Sequence, residues 1–149
     1  MTTHQTQHGL RSPAGEDPNG LLRLALKLDA VASGALGTLL LVTATVLDDL
    51  LGIPLALLVP VGLFLLAYAA FVWIVGTRRR INRTAAWTVV ALNLVWVADS
   101  VVVVLAGPFP LTGLGVIFIL AQAVAVLLFA DLQFLGLRRA RRAARPVAG

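Results

Sequence analysis

The chain has no cysteine, and of its 149 residues only two are histidine and only 13% are charged. The missing cysteine excludes disulfides, thiolate metal sites, a CxxC redox pair and a cysteine nucleophile, and it leaves the redox compartment open. His4 and His8 both precede the first apolar run, so no span can build a haem or quinone site on histidine and no Ser-His-Asp set assembles. Their spacing would suit a metal on a helix, yet the stretch MTTHQTQHGLRSP has no helical pattern and the pair reads as ordinary polar tail residues. Asp48 and Asp49 alone fall short of the six or more oxygen ligands that calcium takes. The expectation is no metal, no cofactor and no catalysis.

What the chain does have is apolar surface. Hydrophobic residues make up 59% of it, against roughly 45–50% in soluble domains, where about 25% of residues are charged. Apolar runs of about 20 residues recur, each long enough to cross about 30 Å of hydrocarbon. Residues 1–19 are polar, rich in proline and glycine, and read as a disordered tail. Four spans follow, at about 28–47, 55–75, 84–106 and 112–135, within a membrane domain at 20–137. Asn19 is placed to cap the first helix, Pro54 suits the start of the second, Gly107-Pro108 ends the third, and Gly136 with the following arginines is expected to close the fourth. Residues 138–149 read as a basic tail. Short connections predict an all-α, four-transmembrane-helix antiparallel bundle, a multi-pass membrane protein whose sequential helices are neighbours.

The formal charge of +5 does not imply nucleic acid, because all twelve basic residues cluster beside the spans. Arg11, Arg23 and Lys27 precede the first, Arg78, Arg79, Arg80 and Arg83 follow the second, and Arg138, Arg139, Arg141, Arg142 and Arg145 follow the fourth. The loops at 48–53 and 107–112 have none, so the positive-inside rule predicts a plasma-membrane protein with both termini cytoplasmic. The arginines at 78–80, 83, 138, 139, 141 and 142 are expected to snorkel and to meet anionic lipid headgroups. A weak repeat sets Gly76, Arg78 and Arg79 against Gly136, Arg138 and Arg139; its parallel sense does not favour alternating access.

Polar side chains within spans are costly and each needs an account. On the third span Asn93, Trp96, Asp99 and Ser100 fall within an arc of about 120°. Counting 1.5 Å per residue from the turns that lack basic residues places Asp99 with Gln122 and Asn93 with Tyr68. This polar column of Asp99, Asn93, Gln122, Tyr68 and Ser100 is open to two readings: interhelical glue, or an outward-opening cavity for a small solute, ion or proton. Asp29 and Asp131 are expected to form ion pairs near the basic end with Lys27, Arg78 or Arg83. Ser33, Gly34, Gly37 and Thr38 make a small-residue packing face, serving another helix of the same chain or a second copy.

The segments SGALG, LGIP, LLAYAAFV before TRRR, and NLVWVADS resemble short four-helix integral membrane proteins of high-GC bacteria, particularly actinobacteria, over about residues 21–139. The resemblance implies the fold and carries no site residues with it. The leading expectation is a non-enzymatic accessory or assembly protein acting by helix packing, partnered by lipid and by its own copies or another membrane protein. A transporter using Asp99, Asn93 and Gln122 is the alternative.

Overall fold

The computed structural model describes Asp17 and residues 19–144; His4, His8 and most of the expected N-terminal tail lie outside the described residues. Five helices form, α1 Gly20–Val42, α2 Ala44–Leu51, α3 Leu55–Thr77, α4 Arg83–Ala106 and α5 Gly113–Ala143, with no strand among the described residues. Of these, α1, α3, α4 and α5 are long and apolar enough to cross a membrane. In the apolar windows of α4 and α5 only 22% of residues are buried within the bundle. Val102, Leu105, Ile117 and Leu128 are each more than half exposed. Apolar surface on that scale is stable only against lipid, so the chain is an all-α, multi-pass membrane protein.

The first apolar run does not continue unbroken to residue 47. It is interrupted at Thr43, which lies outside the helical range at φ −112° and ψ 17° and whose hydroxyl donates to the Leu39 carbonyl at 2.7 Å. The short α2 leaves from there and ends on Gly52, at φ 68°, a left-handed conformation that a side chain would strain. This end, which holds Asp48 and Asp49 and will be called the acidic end, is tied by two caps. Asp48 Oδ2 accepts from the Leu55 amide at 3.2 Å at the start of α3. The Thr112 hydroxyl accepts from the Gly115 amide at 3.0 Å while donating to the Leu50 carbonyl at 2.8 Å.

At the opposite, basic end, α5 runs well past the expected stop. Gly136 is not a C-cap but a buried mid-helix residue, and the arginines at 138–142 extend the helix to Ala143 instead of forming a tail. Leu, Arg and Ala are strong helix formers, so nothing local stops it. Gly136 is there because α1 passes against it: a Cβ would lie 2.8 Å from Leu22 Cα. Gly76 meets Leu26 in the same way, at 3.1 Å from its Cβ. The sixty-residue repeat thus has a packing origin, in that each glycine lets its helix close on α1. Arg23 completes this end, its guanidinium donating to the carbonyls of Gly76 at 3.1 Å, Arg78 at 2.7 Å and Arg79 at 3.3 Å. A cation there complements the negative end of the α3 dipole.

The small-residue face of α1 packs against α3 of the same chain. A Cβ on Gly37 would sit 2.9 Å from the Gly62 carbonyl oxygen, and one on Gly34 would sit 3.5 Å from Ala69. Ser33 turns inward and Thr38 outward, with its hydroxyl bonded to the Gly34 carbonyl at 2.8 Å. This intimate contact draws α3 to α1, while α5 packs on α1 and α4 on α5. The backbones of the consecutive pair α3 and α4 barely approach one another, contrary to the expectation that sequential helices are neighbours throughout. The order around the bundle is α3, α1, α5, α4, and it stays open between the first and last.

Candidate functional site

Two of the carboxylates carried by the spanning helices, Asp29 and Asp99, have opposite surroundings. Asp29 is 0% exposed, not paired at the surface with Lys27, Arg78 or Arg83 as the sequence suggested. It lies in a cluster to which every long helix contributes. Gln133 Nε2 of α5 donates to Asp29 Oδ2 at 2.7 Å, Asn93 Nδ2 of α4 donates to it at 2.9 Å, and Ser33 of α1 donates to Oδ1 at 3.2 Å. The Tyr68 hydroxyl of α3 lies 3.0 Å from Asp29 Oδ2 and 2.7 Å from Asn93 Oδ1, its one proton shared between two acceptors. Asn93 also donates to Gln133 Oε1 at 3.2 Å. Among the described residues no buried side-chain polar atom lacks a partner.

The cluster forms at one depth. Asp29 is nine residues past Gly20, Tyr68 nine before Thr77, Asn93 ten past Arg83 and Gln133 ten before Ala143, so each stands about 14–15 Å from its helix's basic end at 1.5 Å per residue. Leu22, Leu26, Val72, Val89 and Leu137 form the apolar core on its basic side. The sequence reading found Tyr68 and Asn93 but missed Asp29 and Gln133 as members. Gln133 lies eleven residues beyond Gln122, a rotation of about 20° from the same face, and that periodicity was the available signal.

Asp99 belongs to a different place. It is exposed on α4 and makes no hydrogen bond or ion pair among the described residues, whose one ion pair is Arg23 with Asp17 at 3.9 Å. Gln122, expected as its partner, instead accepts from the Trp96 indole N–H at 3.2 Å. The Ser100 hydroxyl is taken by the Trp96 carbonyl at 2.8 Å. The expected column therefore divides: Tyr68 and Asn93 hydrogen-bond into the Asp29 cluster, while Asp99, Gln122 and Trp96 line the opening between α3 and α4, where Ser33, Tyr68 and Asn93 also border the smaller cavity. Two cavities of about 250 and 360 Å³ occupy that opening and share Leu36, Trp96, Asp99 and Gln122 in their walls. Phe64 stacks between Tyr68 and Trp96, each pair of centroids 6.2 Å apart.

At the basic end Arg78, Arg79, Arg80, Arg83, Arg138, Arg139, Arg141 and Arg142 are all exposed. Arg138 lies over the Phe134 ring at 5.5 Å, and that ring meets Trp87 edge-on at 5.7 Å, an arrangement typical of side chains at a bilayer interface. Arg83 donates to the Ala140 carbonyl at 3.3 Å. Asp131, expected in an ion pair at this end, is exposed on α5 twelve residues before Ala143 and makes no ion pair among the described residues. Among the described residues no group of three metal-ligating side chains occurs. Compared with family models, with curated proteins and with solved structures, the chain matches none.

Proposed function

We propose that the chain is a non-enzymatic accessory or assembly protein of a bacterial plasma membrane, acting through helix packing, with both termini cytoplasmic and its arginines on anionic lipid. We place it with the short four-helix proteins of high-GC bacteria that its SGALG and NLVWVADS segments resemble. The observation carrying the packing reading is the closure of the Asp29 cluster. Three donors converge on Oδ2 and one on Oδ1, so the carboxylate is sheathed in N–H and O–H groups. A travelling cation needs free lone pairs at such a carboxylate, and Oδ2 is already engaged by donors from α3, α4 and α5. The clustering of the basic residues in the sequence beside one set of span ends supports the orientation.

The test is flux. Purified protein in liposomes loaded with a pH-sensitive dye, under an imposed potential, should leak protons no faster than protein-free liposomes. A proton current abolished by Asp29→Asn would replace the packing reading with a relay. The second reading, a small-solute or ion carrier, is favoured by one observation only, the unpartnered Asp99 in the α3–α4 opening.

A further inference from the structure

We propose that the opening between α3 and α4 is a binding site for an amphipathic organic cation, a molecule with an aromatic or aliphatic body and one delocalised positive charge, held by Asp99. The inference does not depend on the accessory role, since a bound cation need not cross. Its basis is the contrast between the two carboxylates. Asp29 has four donors at hydrogen-bond distance; Asp99 has none among the described residues. Asp99 lies seven residues from the end of α4 at Ala106, about 10 Å into the span, where an unpaired carboxylate is costly and calls for a counter-charge. No lysine or arginine lines either cavity, so an occupant is the available source of that charge.

The walls describe the rest of the occupant. Trp96 borders both cavities and Phe64 the smaller one, and aromatic rings attract cations electrostatically. Leu36, Val103 and Phe118 supply apolar surface further toward the acidic end. The combined space is of the size that takes small organic molecules and far too narrow for a helix, whose diameter with side chains is about 10–12 Å. Because the backbones of α3 and α4 stay apart, with Phe64 and Trp96 meeting across the gap, the site is reached sideways between them, which suits a solute that first dissolves in the bilayer.

The probe is tetraphenylphosphonium, with tetraphenylborate as an anion of the same shape, applied to the full chain in nanodiscs with empty nanodiscs as the blank. The expected result is saturable binding of one cation per chain, no competition by the anion, and at least a tenfold loss of affinity in Asp99→Asn with the melting temperature unchanged. Val126→Trp, which fills the wall of the smaller cavity, should also lower binding. Absence of saturable binding, equal binding of the anion, or undiminished affinity in Asp99→Asn would each overturn the proposal. The comparison of the two ions needs no variant and decides the matter even if a substitution prevents folding.

Discussion

Replacing Asp29 by leucine removes the acceptor on which the four long helices converge. Three cross-helix bonds are lost, from Tyr68, Asn93 and Gln133, each worth about 0.6–1 kcal/mol inside a membrane protein. Re-pairing recovers part of this. Tyr68 can give its proton wholly to Asn93 Oδ1, and Asn93 Nδ2 still has Gln133 Oε1, but Gln133 Nε2 is stranded in a fully buried position at about 1–3 kcal/mol. The net loss should be about 3 kcal/mol. Asp29→Asn keeps one acceptor oxygen for those donors and presents an amide that Ser33 can accept, so it should cost about 1 kcal/mol or less. The assay is reversible unfolding in mixed micelles by added dodecyl sulfate, followed by circular dichroism at the helix band. If Asp29→Leu unfolds within about 0.5 kcal/mol of wild type, the cluster is not what holds the spans together. If Asp29→Asn is as damaging as leucine, the charge itself matters and the donor count is the wrong explanation.

Gly136→Leu should destabilise by about 2 kcal/mol or more, because even its Cβ would meet the Leu22 backbone at 2.8 Å; Gly34→Ala, with 3.5 Å to Ala69, should be nearly neutral in the same unfolding assay, and the reverse ranking would refute the packing described at α1. Arg23→Ala should cost about 1 kcal/mol through loss of the bonds to three carbonyls at and just beyond the end of α3, and Arg23→Lys should restore less than half, since an ammonium cannot fork across them; full rescue by lysine would reduce the effect to charge alone. A cysteine placed at Asp49 should react with an impermeant maleimide on intact cells, and one at Thr77 should not, both positions being exposed on a chain without native cysteine; labelling at Thr77 alone would invert the orientation.

Span number, helical class and the grouping of charge at one end were legible in the sequence, because each depends on local composition. About 20 apolar residues must be helical in lipid whatever they pack against, and Pro54, Gly107 and Pro108 act through their own backbone. The interior was legible only in part. Depths counted from the acidic turns paired Tyr68 with Asn93 correctly, but with the first span taken to start at residue 28 and α5 to stop at residue 135, Asp29 fell beside the basic residues and Gln133 at the membrane surface. Only the packing of α1 on Gly136 shows that this glycine continues the helix instead of ending it, and the added turns to Ala143 carry Gln133 down to the Asp29 layer. The fate of Asp99 was likewise a tertiary matter. Its own helix is as apolar as the others, and whether it met Gln122 or an opening depended on α3 preferring the small face of α1 to its sequence neighbour α4. Local pattern sets which segments cross the membrane; the closeness of approach between helices, fixed by where glycines fall opposite side chains, sets which polar groups meet.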